Sequence, residues 1–301
     1  MGAHAAACGR TRAGAGMSAV RLALLLWALP ASAMAAARGE FFDDFSQPDL
    51  DALRANGWVL REGSGHPGLP GARFAPSQLG LSGGLLTLSL KTDGTPAHTT
   101  LAQLCGPRKF LIGTTTARVR LRDTPGSRDP IIQSFFLASP LRHDYDPDFS
   151  EVDFEYLPHG GWGEPETRLY GVSWHTVRID PWQSFNQAST LPGSFDGWQL
   201  LTVQVEATRT RHYVNGRLIG EHTGRNVPSH PMAISFNHWL AAGAVAGAPR
   251  EYSFDVDWVL HEAGRTLTPA AMQARAAQLK RQGKDRVDTV PDSGLVSECN
   301  L

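Results

Sequence analysis

The sequence predicts an all-β fold, a sandwich of two antiparallel sheets, and three observations carry that expectation. Apolar and polar residues alternate along most of the apolar runs, 31 Gly and 20 Pro are spread between those runs, and Asn215-Gly216 sits between Tyr213-Val214 and Leu218-Ile219. Alternation puts residues two apart on one face, which suits strands that rest one face on a core. Gly and Pro between them supply turns. Asn-Gly accommodates positive φ at both centres of a type I′ turn, so a tight hairpin is expected there.

The elements follow in chain order. Arg10, Arg12 and Arg21 precede the apolar run 22–29, and Ala31-Ser32-Ala33 offers small residues for cleavage, so residues 1–36 read as a secretory signal peptide, with Met17 as an alternative start. That run is too short to span a bilayer, and no later segment reaches the ~20 apolar residues a membrane helix needs. The expected product is soluble, binds no membrane, and is secreted to an extracellular or periplasmic space. In the run 86–90, Leu86, Leu88 and Leu90 alternate with Thr87 and Ser89, and in 117–122 Ala117, Val119 and Leu121 alternate with three Arg. Further strands are expected at 131–139, 151–157, 200–207, 232–240 and 252–260. One helix is expected late, with Thr268 as cap, Pro269 in the first turn and good helix formers over 270–280. Residues 37–265 fit a single β domain, and 266–301 then form a C-terminal helix and a loose, polar tail.

Composition excludes several classes of function. With 42% hydrophobic and 19% charged residues the chain is not intrinsically disordered. Its 28 basic and 29 acidic residues, or 25 against 29 once the leader is removed, leave no large basic surface for nucleic acid. A neutral partner fits better. Cys105 and Cys299 remain after the leader; they either pair in an oxidising compartment or stay as two free thiols, and no Cys spacing suits zinc.

The chemistry concentrates in Ser150-Glu151-Val152-Asp153-Phe154-Glu155-Tyr156-Leu157. On a strand Glu151, Asp153 and Glu155 project from one face, ~6.6–6.8 Å apart in succession, and Val152, Phe154 and Tyr156 project from the other toward the core. Three like charges on one face repel, so stability alone does not select them. Two Glu leaning over the shorter Asp153 can approach the ~5–5.5 Å of a retaining glycosidase, in which one carboxylate attacks the anomeric carbon and the other protonates the leaving oxygen.

Glu-Val-Asp-Phe-Glu resembles the E-x-D-x-E signature of glycoside hydrolase family 16, which includes lichenases, laminarinases and xyloglucan endotransglycosylases. Other segments carry the resemblance across 40–261. Phe41-Phe42-Asp43-Asp44-Phe45 followed by Trp58 is similar to the family's opening strand, 198–216 to its W…Y-V-D-G stretch, 231–239 to its P-M-x-I-x-x-N-x-W strand, and 254–260 to its closing strand. The chain departs at Ser150, where the family often has an acid, and over 158–199. The resemblance implies a concanavalin A-like β-jelly-roll sandwich, with Glu151 as nucleophile, Glu155 as general acid/base and Asp153 as the group that positions and tunes them. The unbulged spacing leans toward the lichenase and xyloglucan branches.

Sugars stack on aromatic faces and bond at polar rims. Phe149 shares the acid-bearing face by alternation, and Asn237 and Trp239 share a face and match the family's cleft residues. Trp162, Trp174 and Trp182 lie in or near the loops after the acids. These six residues are expected to bind substrate. Trp58, Trp198 and Trp258 read as core, and His175 and His238 as surface or core residues rather than catalysts. An EF-hand reading of Asp144, Asp146, Asp148 and Glu155 fails on Phe149 at the Gly position and on Pro147, although the acidic loop could hold a structural calcium in another way. Gly80-Leu81-Ser82-Gly83-Gly84 runs into a strand, so it is a turn and not a nucleophile elbow. No cofactor and no catalytic metal are expected. The function expected is a monomeric, retaining, endo-acting hydrolase of a β-linked polysaccharide, β-glucan first. The alternatives are a transglycosylase using the same site and a lectin-like binder.

Overall fold

The computed structural model describes residues 38–299, so the leader read at 1–36 lies outside the described residues. Two antiparallel sheets face each other. The first runs, neighbour to neighbour, Gln183–Pro192, Arg168–Arg178, Glu151–Leu157, Ile131–Ala138, Met232–Leu240, Thr100–Phe110 and Val59–Leu60. The second runs Leu79–Ser82, Leu85–Thr92, Arg250–Ala263, Gly113–Leu121, Gly197–Val205, Arg209–Val214 and Arg217–Thr223. Gly39–Asp43 lies beside the far half of Arg250–Ala263. At one corner the short strand Arg73–Phe74 pairs in parallel with the start of Thr100–Phe110, and the pairing of Lys91 with Thr100 joins the sheets. This is a jelly-roll sandwich, in which strands distant in sequence lie side by side.

Alternation explains the core. Phe135, Leu137, Val152, Phe154, Tyr156, Ile234 and Phe236 point from the first sheet toward Leu86, Leu88, Val119, Leu201, Val203, Phe254 and Val256 of the second, all buried. Each such side chain contributes ~1.5–3 kcal/mol relative to exposure. On the outer face of the second sheet, Phe42, Trp258 and Leu260 are covered by Met272, Ala276 and Leu279 of the helix Pro269–Arg281. Thr268 accepts from Ala271 N and Pro269 opens the helix, as read from the sequence. Asn215 and Gly216 take φ of 50° and 83° in the expected hairpin.

Several expectations need correction. Three strands, Thr100–Phe110, Arg168–Arg178 and Gln183–Pro192, have no clear alternation. Thr100–Phe110 is buried on both faces and contains Gly106 and Pro107, whereas Gln183–Pro192 is a polar edge strand. A short helix, Leu50–Ala55, is capped by Asp49, whose side chain accepts from Ala52 N. Trp58 is a core residue whose Nε1 donates to the buried Asp43, and Trp258 is also buried. Trp198 is not in the core; it is partly exposed, with the Arg118 guanidinium 4.1 Å above its ring.

The tail is fastened rather than loose. Arg286–Asp288 pairs with Gly39–Asp43, and Lys109 Nζ donates to Asp288 Oδ1 and to the Val290 carbonyl. Cys299 is disulfide-bonded to Cys105, which settles the pairing left open by the sequence, across a separation of 194 residues. Closing so long a loop restricts the unfolded chain. Cys299→Ser is expected to lose about 2–4 kcal/mol and several degrees of Tm. Thermal unfolding with and without reductant checks this, and reduced wild type should match the variant.

Candidate active site

Glu151–Leu157 pairs in unbroken register with both neighbours. Glu151 lies opposite Trp174 and Ala138, Asp153 opposite Val172 and Phe136, and Glu155 opposite Tyr170 and Ser134. With no bulge the strict period of two holds, so the three acids leave by the face away from the core. They enter a cleft of about 830 Å³ on the outer face of the first sheet. All nine residues singled out from the sequence line it: Glu151, Asp153 and Glu155 with Phe149, Trp162, Trp174, Trp182, Asn237 and Trp239.

Their contacts divide the cleft. Trp174 Nε1 donates to Asp153 Oδ2 at 2.8 Å, and its ring meets Trp182 edge to face at 6.1 Å between centroids. Trp182 in turn packs against His66. Around Glu155, Trp162 Nε1 donates to Oε2 at 3.1 Å, and Trp162 stacks on Trp239. Asn237 sits opposite Ser134, which sits opposite Glu155, so one row across three strands carries Asn237, Ser134 and Glu155. Four buried polar atoms at the cleft have no hydrogen-bond partner: Asp153 Oδ1, Ser134 Oγ, Asn237 Oδ1 and Trp239 Nε1.

Burial dominates the electrostatics. It pushes the Glu151 carboxyl well above its usual range, and the Glu155 charge adds to the effect. Asp153 is pushed up by burial and by both glutamates, against the Trp174 hydrogen bond. Glu155 rises to about 7, through burial opposed by the Trp162 N–H. Such a set resists full ionisation at neutral pH.

Sequence reasoning missed Ser134, Phe136, Tyr170 and the wall from His66 to Pro70. Ser134 and Phe136 lie in a continuously buried strand, and only strand pairing reveals which of its residues neighbour the acids. His66 comes from a loop without periodicity. His238 is a core residue whose Nδ1 bonds the Leu88 carbonyl, and neither it nor His175 lines the cleft. In the acidic loop Asp144 accepts from Ile179 N, Asp146 from the backbone of Arg142 and Asp148, and Asp148 faces Arg142 and His230. Among the described residues no group of three or more His, Cys, Asp or Glu could hold a metal ion.

No protein-family model and no curated protein matches the chain. Solved structures do. A prokaryotic β-1,3-1,4-glucanase (lichenase) from a mouse hindgut metagenome matches with TM-score 0.57 and 20% identity, over 74% of this chain and 98% of its own. A Bacillus licheniformis β-glucanase matches with TM-score 0.57 and 16% identity, over 74% and 97%. The laminarinase catalytic domain of Thermotoga maritima matches with TM-score 0.56 and 17% identity, over 75% and 97%. At these identities the likeness shows the fold alone, one shared with lichenases and laminarinases.

The raised Glu155 has a consequence for stability. Its value is 4.5 in the unfolded chain and about 7 in the folded one, so the folded state binds the extra proton between those limits and loses stability as pH rises through them. Glu155→Gln removes that penalty. The variant is expected to be more stable than wild type at pH 8 by on the order of 3 kcal/mol, with the gap closing toward pH 4. Scanning calorimetry across that range tests it; a gap independent of pH would contradict the assignment.

Proposed function

We propose that the chain is a secreted, retaining, endo-acting glycoside hydrolase of an uncharged β-linked polysaccharide, with β-glucan as the first candidate. The observation that carries this reading is the coincidence of three carboxyls and four unpartnered buried polar atoms on one aromatic-walled cleft. A buried polar atom without a partner costs ~1–3 kcal/mol. A ligand rich in hydroxyls can supply both donors and acceptors to Asp153, Ser134, Asn237 and Trp239, while its C–H faces stack on Trp162, Trp174, Trp182 and Phe149.

In this mechanism Glu151 attacks the anomeric carbon as the carboxylate and forms a glycosyl-enzyme. Glu155 gives its proton to the departing oxygen, then takes one from the water that releases the sugar. A Glu155 that titrates near 7 can serve in both steps at neutral pH. Asp153 stands between the two glutamates on the same strand face, and the Trp174 N–H orients it. Among the described residues no Lys or Arg lines the cleft. A sulfated or uronic polymer would meet acids with no cation to pair with, which favours a neutral chain. The names of the structural neighbours, β-glucanases and laminarinases, support β-glucan. The Cys105–Cys299 disulfide supports export to an oxidising compartment.

Reducing-end release and product anomer by NMR test this on lichenan, laminarin, xyloglucan, agarose and carrageenan. The expected result is a β-anomer formed first from a neutral glucan and none from carrageenan. Glu151→Gln is expected to lose at least ~10³-fold in kcat with binding retained. Full activity in that variant would sink the assignment.

A further inference from the structure

The loop after the catalytic strand lays an indole on one oxygen of the acid, and the steps above make no use of that bond. Trp162 is 51% exposed, yet its Nε1 donates to Glu155 Oε2 at 3.1 Å and its ring stacks on Trp239, 5.8 Å between centroids with 28° between planes. The backbone imposes this position. Gly160, Gly161, Trp162 and Gly163 take φ of 71°, 151°, 56° and 91° in succession. Glycine adopts such angles freely, but a bulky Trp does so only where its surroundings hold it. Gly161 and Glu164 exchange backbone hydrogen bonds, Tyr170 Oη donates to the Gly161 carbonyl, and Arg168 donates to the Glu164 carboxylate. A Cβ on Gly160 would meet the Glu164 carbonyl oxygen at 2.4 Å, so the turn requires glycine there.

Given the glycosidase reading, we infer that Trp162 is a positioning residue for Glu155: its N–H occupies Oε2 and leaves the transferable proton to Oε1. An indole N–H only donates, so it bonds a lone pair and favours the oxygen that carries no hydrogen. Among the described residues no other group donates to the Glu155 carboxyl. The bond also strengthens as Glu155 loses its proton to the leaving oxygen, because a donor bonds a carboxylate more tightly than a carboxylic acid. That is stabilisation gained during the proton transfer, not on binding. The other titratable groups lining the cleft with Glu155 are Glu151 and Asp153 on its own strand, Tyr170 on the next strand and His66, and among the described residues no Lys or Arg lines it. None of them replaces the indole as a donor that holds Oε2.

Trp162→Phe keeps a ring to stack on Trp239 and removes the N–H. Wild type and variant are compared on a β-glucan and on a dinitrophenyl β-oligosaccharide whose leaving group needs no proton. The expected result is a loss of ~10-fold or more in kcat on the glucan with less than ~3-fold on the aryl glycoside. The alkaline limb of kcat/KM should move up by about half to one pH unit, because the hydrogen bond to the ionised form is gone. In the free protein, the Glu155 carboxyl signal in ¹³C NMR, assigned with Glu155→Gln, should titrate higher by a similar amount. Equal losses on both substrates with an unmoved pH profile would overturn the inference and leave Trp162 a binding wall. A wild type inert on both substrates would overturn the glycosidase reading and this role with it. An active wild type whose Glu155 titration ignores the substitution would overturn only the role of Trp162.

Discussion

Everything about this site depends on the pleat of one strand. Between Glu151 and Leu157 the side chains alternate without a bulge, so Val152, Phe154 and Tyr156 enter the core while Glu151, Asp153 and Glu155 enter the cleft. A single inserted residue would reverse part of that pattern, burying acids in hydrocarbon and exposing aromatics. The register is protected because Phe154 stacks on Phe135 and Phe135 on Phe236, so three successive strands of the sheet are keyed together by their core faces.

The core side of the strand compensates for what the cleft side costs. Three carboxyls pressed together and desolvated oppose folding at neutral pH, as do polar atoms without partners. Apolar side chains from both sheets supply the opposing free energy across a continuous interior. Stability and reactivity are thus separated by face instead of by region. The same strand lies in the main hydrophobic core on one face and carries three carboxyls raised by burial on the other.

The rest of the chain brackets this sheet. The C-terminal helix seals the outer face of the opposite sheet through Met272, Ala276 and Leu279, and the segment beyond it crosses back to reach Cys105 on the strand beside Met232–Leu240. Because Met232–Leu240 also carries Asn237 and Trp239, the disulfide braces the strand next to the cleft floor. The walls, by contrast, come from loops held by backbone hydrogen bonds and by glycines at positive φ, as around Trp162. Walls of this kind can differ between related molecules without disturbing the sheet beneath.

Much was legible before folding was considered. Apolar runs, several of them alternating with period two, identified seven of the seventeen strands among the described residues, Asn215-Gly216 its hairpin, Thr268-Pro269 its helix start, and E-x-D-x-E the three acids, because each is a local rule linking residue type to backbone geometry. The nine residues named in advance line one cleft. What stayed hidden was non-local. The strand Thr100–Phe110 buries both faces and so shows no alternation, and Gln183–Pro192 is a polar edge that buries neither. The neighbours Ser134 and Tyr170, the loop at His66, the Cys105–Cys299 bond and the hydrogen bond from Trp162 to Glu155 all join residues whose proximity comes from strand pairing or loop closure. By itself the sequence determined which faces of the strands are apolar and where the acids stand in one of them. Only the tertiary structure decided which distant groups surround those acids, because register and loop closure are set by the packing of the whole sandwich.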